Sequence, residues 1–163
     1  MKKICVLFCV FLFVSCQNFG QLNMVTDLPK DLKEVSGIET IQGSKYIWMI
    51  NDSGNRPKLY GISKKGKIKK EVFIEKKNKD WEDLASDKKG NIYIGDFGNN
   101  ENERKNLRIL KVDKSDLSKK VAKVKKIEFE YENQDDYSPK KKKMFFDAES
   151  FFYYNNNFYI FTK

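Results

Sequence analysis

The sequence predicts an all-β chain arranged as a partial β-propeller, about two and a half four-stranded antiparallel blades. Three observations carry this. The segments IWMINDSGN at 47–55 and IYIGDFGN at 92–99 match, with Asp52 over Asp96, at an offset of 44 residues. In both, an apolar strand-like run meets Asp-x-Gly-Asn. A partial third copy, FYIFTK at 158–163, places Tyr159 over Tyr93. Periods of 40–50 residues that hold several short strands are the mark of propeller blades.

The elements follow in order. The first blade, about 34–79, has apolar stretches at 36–41, 46–50, 59–62 and 68–74. Turn residues separate them at Gly43-Ser44, 52–57 and 64–66. The second, about 80–145, repeats this with strands at 82–85, 92–94, 107–112 and 124–131 and turns at 87–90, 98–105 and 113–119. In its last strand Ile127, Phe129 and Tyr131 alternate with Glu128, Glu130 and Glu132, so one face is wet. A basic loop at 133–143 leads to the third, 146–163, with strands at 148–153 and 158–161. A propeller closes with at least four blades, and closure removes exposed sheet edges. The chain is therefore expected to be the amino-terminal part of a longer propeller, with a complete small β-sandwich as the alternative.

Residues 1–15 read as a signal peptide. Lys2 and Lys3 precede an unbroken apolar run at 4–14, too short to span a bilayer and the right length for a signal core. It ends in Val14-Ser15-Cys16, which resembles the lipobox of bacterial lipoproteins, with Phe13 in place of the usual Leu. Cys5 and Cys9 lie in the signal, so the mature chain keeps only Cys16. A lone thiol in an oxidising compartment is explained by acylation, palmitate included. An ordinary secretory signal is the alternative. Cys16 and the polar tether 16–31 predict an exported lipoprotein held to the membrane by its acyl chains. In the lipoproteins that this segment resembles, an Asp after the Cys often signals inner-membrane retention, so the resemblance with Gln17 in that place implies the outer membrane, facing the periplasm, over the inner.

The formal charge of +9 does not indicate nucleic acid. Arginine occurs only at 56, 104 and 108, and the lysines are scattered over what reads as a solvated surface that an anionic membrane would attract. With no histidine and Cys16 lipidated, imidazole and thiol catalysis and His-ligated zinc are excluded. No phosphate-binding glycine loop is present. The remaining chemistry is carboxylate chemistry, and hard cations prefer oxygen.

Acids recur where each blade begins: Glu34-Val35-Ser36-Gly37-Ile38, Trp81-Glu82-Asp83-Leu84 and Asp147-Ala148-Glu149-Ser150-Phe151. The innermost strand of a blade lines the central channel. Glu82 and Glu149 could converge there on calcium or a polar ligand, or could only cap loops. Asn51, Asp52 and Asp96 are further oxygen donors. Asp52 and Asp96 equally suit Asx-turns, with Gly54 and Gly98 supplying positive φ. Trp81, beside Glu82, is a candidate ligand platform.

The strings NDSGNRPKLYGI, DWEDLASDKKGNIYIGDFGNN and FDAESFFYYNNNFYIFTK resemble a family of bacterial β-propeller lipoproteins without assigned activity. The resemblance covers about 32–163 and the first part of the usual family length. The chain is more distantly similar to NHL-type and gluconolactonase/regucalcin-type propellers. The latter resemblance implies a divalent cation for lactone hydrolysis, with counterparts only at Glu82 or Glu149 and at Asn51-Asp52. Two functions are thus expected: a binding or scaffold lipoprotein for a protein or small molecule, or a calcium-dependent lactonase or esterase-like hydrolase, inactive if truncated.

Overall fold

A computed structural model of the chain describes residues 23–137 and 145–163. The signal peptide, Cys16 and most of the basic loop lie outside them. The structure is all-β, in three sheets, none of them closed. The first sheet orders β1 (Val35–Thr40), β2 (Ile47–Asn51), β3 (Lys58–Ile62) and β4 (Ile68–Ile74) as an antiparallel meander. The second does the same with β5 (Trp81–Ser86), β6 (Ile92–Asp96), β7 (Leu107–Val112) and β9 (Val124–Phe129). The third is a hairpin of β10 (Ala148–Tyr154) and β11 (Asn157–Thr162).

Short apolar runs bounded by Gly and Asn turns produce these meanders. Gly43, Gly54, Gly66 and Gly90 hold the positive φ that the turns need, as do Asn155 and Asn156 between β10 and β11. One element was not legible in the sequence. Val121–Ala122 forms a two-residue strand, β8, that pairs parallel with the outer edge of β4 through Phe73↔Val121 and Ile74↔Ala122. The stretch before it, expected as a turn, winds into a 3₁₀ helix at Lys114–Ser118 and buries Leu117.

The three sheets share one irregularity. Pairing slips between Val35 and Gly37 in β1, between Trp81 and Asp83 in β5, and between Ala148 and Ser150 in β10. The bulged residues are Ser36, Glu82 and Glu149, which are therefore equivalent positions. A bulge kinks its strand and re-aims a side chain. The three first strands are also neighbours. Ser36 Oγ donates to the Trp81 carbonyl at 2.6 Å, and the Phe151 amide donates to Asp83 Oδ2 at 3.1 Å. Gly37 is needed at the first contact, because a Cβ there would stand 2.8 Å from the backbone of Asp83 and Leu84.

The sheets stack face to face. Trp48, Ile50, Leu59, Val72 and Ile74 of the first meet Leu84, Ile92, Ile94 and Leu110 of the second. Ala85, Tyr93, Leu107 and Ile109 on the far face of the second meet Phe151 and, partly buried, Tyr153, Phe158 and Ile160 of the third. Each wholly buried Leu or Ile stabilises by about 1.5–3 kcal/mol, so these two interfaces dominate the fold. Leu32 covers the outer face of the first sheet, over Met49, Tyr60 and Ile62.

Candidate cation site

The site stands where the first two sheets meet. Asn78 fixes the junction. It is buried, and its Nδ2 donates to the Asn51 and Asp52 carbonyls at 3.0 and 2.8 Å, while its Oδ1 accepts from the Trp81 amide at 3.1 Å. This ties the end of β2 to the start of β5. Asp52, Asp80 and Glu82 are thereby gathered, each with a carboxylate oxygen within 4.8 Å of the others. Glu82 is only 8% exposed. Among the described residues it has no ion-pair partner and no hydrogen-bond donor.

Burial, and then the charges of Asp80, Glu149, Asp52 and Asp147 in that order, push the Glu82 carboxyl up to about 8. Burial raises Asp80 as well, against a hydrogen bond from Ser53, and the charge of Asp52 adds to the rise. The glycine that follows Phe97 makes room for this. A Cβ on Gly98 would fall 2.0 Å from Glu82 Oε1 and 2.5 Å from the Asp80 carboxyl. Gly98 was expected to supply a positive φ, but it is absent from the positive-φ glycines and is needed for space instead. Three carboxyl groups at this spacing can, on giving up their protons, bind a hard divalent cation, with water completing the six to eight oxygens that calcium takes. These are the residues that would hold calcium, so the donor set fits that ion.

The other expected site residues are engaged elsewhere. Glu149 occupies the position equivalent to Glu82 but pairs with Lys163, which also contacts Asp147 Oδ2 at 3.0 Å. The two carboxylates hold that ammonium more firmly charged, Glu149 contributing most. A cation shared by Glu82 and Glu149 is therefore replaced by a cluster with Asp80 and Asp52. Asp96 is wholly buried and saturated. Arg108 reaches Oδ2 through Nε at 2.8 Å and Nη2 at 2.6 Å, and Arg104 Nη2 reaches Oδ1 at 3.0 Å. It is neither a ligand nor an Asx-turn. It is a structural anion whose Oδ1 also accepts the Asp80 amide at 3.2 Å. Asn51 donates its amide to the Asp31 carbonyl at 2.7 Å, and its buried Oδ1 has no hydrogen-bond partner among the described residues. Trp81 is 0% exposed within the core and offers no face to a ligand. Cys16 falls outside the described residues.

Asp80, Asn78 and Gly98 were missed by sequence reasoning. The signal for Asp80 was present: Asp80-Trp81-Glu82 and Asp147-Ala148-Glu149 are both Asp-x-Glu. Also unforeseen is a groove of about 1430 Å³ beside the Asp96 arginines, lined by Lys76, Lys77, Lys79, Arg104 and Lys105 among others. It is a separate, basic feature, unsuited to a cation. Comparison with known proteins gives no matching family model, no matching curated protein and no matching solved structure.

Proposed function

We propose that the chain is an envelope lipoprotein whose sheets are propeller blades and whose Asp52–Asp80–Glu82 cluster binds calcium as part of a binding or scaffold module. The observation that carries the reading is Glu82, a buried carboxyl inside an acidic cluster with no cationic side chain or donor facing it among the described residues. Leaving such a group uncompensated costs stability, and a bound cation removes the cost. The blade reading is supported by the three bulges at equivalent positions and by neighbouring first strands, as expected of strands around a common axis.

Calorimetric titration of calcium into the full chain at pH 7.5 tests the site. Binding is expected at one site, with Asp80→Asn weakening it at least tenfold. Equal affinity in the variant would remove Asp80 from the ligand set, and no heat at millimolar calcium would sink the reading. The anchor is tested separately. Labelled palmitate fed to the producing cell is expected in the wild-type chain and not in Cys16→Ser. An unlabelled wild-type chain recovered without membranes would refute lipidation.

A further inference from the structure

The groove beside the Asp96 arginines takes its walls from two sheets. One wall is the end of β4 with the link to β5, Phe73 to Lys79. The other is the β6–β7 loop at 103–108. Both walls are cationic. Lys76, Lys77 and Lys79 stand on the first and Lys105 on the second, and Arg104 and Arg108 line the groove as well. The arginines are spent within the fold, both on Asp96 and Arg104 also on the Gly98 carbonyl at 2.7 Å. The four lysines are exposed, and among the described residues none of them forms a salt bridge or hydrogen bond. Lys105 lies 4.7 Å over the Tyr137 ring. Glu75 and Glu103 also line the groove. Six cationic groups against these two and Asp96 leave a surplus of three positive charges. Glu128, whose charge reaches Arg108 and Lys76, is already paired with Lys126 at 2.8 Å.

Lysines on a convex surface are merely solvated. A cleft lined by one sign of charge focuses the field instead and concentrates counter-ions. The size and the residue types narrow the ligand. The groove, about 1430 Å³, is larger than the roughly 300–1,000 Å³ of a common small-molecule site, so it has room for several anionic groups. The planar guanidinium forks that suit carboxylates are taken. What remains free is ammonium, a compact point charge on a flexible stem, which serves phosphate well. A phosphate monoester carries close to two negative charges at neutral pH. Pro57 and Phe73, 42% exposed, add an apolar strip to the lining.

We infer that this groove binds a ligand bearing several phosphate groups, clamped between Lys76, Lys77 and Lys79 on one wall and Lys105 on the other, with its uncharged part against Phe73. The phosphates belong either to a free molecule or to lipid headgroups, and the recognition chemistry is the same for both. The inference rests on the reading of the chain as a binding module and names what is bound. Calcium is not part of it, although Asn78 borders the groove and also ties the acidic cluster together.

Calorimetric titration of tripolyphosphate into the full chain, in calcium-free buffer at pH 7.5 and 50 mM NaCl, tests this. Tripolyphosphate is expected to bind at least tenfold more tightly than orthophosphate or citrate, and 200 mM NaCl to weaken it at least fivefold. Lys79→Gln with Lys105→Gln, one change on each wall, is expected to weaken binding at least tenfold. Lys64→Gln with Lys65→Gln, an equal loss of charge at the β3–β4 turn, should change it less than twofold. Far-UV circular dichroism checks that both double variants keep the wild-type fold. No binding at millimolar tripolyphosphate overturns the inference. So does citrate binding as tightly, or an equal loss in the two double variants. Vesicles of phosphatidylcholine with one tenth phosphatidic acid separate the two sources, with Cys16→Ser in every chain so that no acyl group holds the protein. Vesicle capture that the groove variant loses and the turn variant keeps assigns lipid headgroups. Tripolyphosphate binding without such capture assigns a free ligand. None of these readouts involves calcium, so failure here leaves the test of the acidic cluster standing.

Discussion

Asp96→Ala is expected to lower the stability of the chain by about 3–5 kcal/mol, a large loss for one substitution. Removing one partner of a buried ion pair leaves its counter-ions uncompensated in low dielectric. Here the stranded groups are the Arg108 and Arg104 guanidinium groups, and Arg108 has little water in reach. The Asp80 amide also loses its acceptor. Urea unfolding followed by fluorescence measures the loss, since Trp48 and Trp81 both sit in the core that dissolves. A double variant, Asp96→Ala with Arg108→Met, should recover part of it, because no buried charge then remains at that partner. A loss below 1 kcal/mol in the single variant would mean that water reaches the arginines. The same substitution should weaken calcium binding indirectly, by loosening the backbone that presents Asp80.

Glu82→Gln should act in the opposite direction and stabilise the calcium-free chain at pH 8. The folded carboxyl titrates near 8, whereas an unfolded glutamate titrates near 4.5. Between these values the native state keeps a proton that the unfolded state gives up. Stability therefore falls as pH rises from about 4.5 to about 8, and the penalty is complete above that. Its size is on the order of 2–4 kcal/mol, since each tenfold difference in proton affinity between the two states is worth about 1.36 kcal/mol, discounted here for relaxation of the site. Glutamine carries no such penalty. The variant is expected to melt roughly 5–10 °C higher than wild type at pH 8 and nearly level with it at pH 4.5. Calcium at a hundredfold excess over the dissociation constant should stabilise the wild type at pH 8 by about 2.7 kcal/mol, raising its midpoint, and should leave the variant little changed. Scanning calorimetry at the two pH values, with and without calcium, reads all of this. A variant that melts below wild type at pH 8 would show that the carboxylate is already neutralised.

The strands were legible because their physics is local. Ile68–Ile74 and Leu107–Val112 lie where the apolar pattern placed them, and elsewhere the boundaries move by one or two residues. The site was only half legible, and one register explains why. Matching the letters of Asp-x-Gly-Asn laid Asp52 over Asp96. In the sheets Asp96 pairs with Trp81 as Asn51 pairs with Val35, so Asn51 is its true counterpart. The first copy has one residue more between strand and turn. Asp52 therefore opens the turn and caps the Ser53 amide, whereas Asp96 closes its strand and points at arginines. A shift of one residue along a strand reverses the face of a side chain. Trp81 failed for a related reason: its neighbour Glu82 sits in a bulge, so adjacency in sequence says little about which way each points. Asp80 and Asn78 act through contacts between sheets, and such contacts leave no periodic trace in the chain.

The two-residue strand at Val121–Ala122 also has a consequence in time. It supplies the fifth strand of the first sheet, yet it leaves the ribosome about fifty residues after Phe73. At roughly 5–20 residues per second, the growing chain spends several seconds with the outer edge of β4 open. Phe73 is exposed along that edge even in the finished structure. Nascent chains on one messenger could pair there, edge to edge. Lys69 and Lys70 on β4, with Lys76 and Lys77 just beyond it, stand along the same stretch, so mutual repulsion guards the unfinished sheet until its late strand arrives.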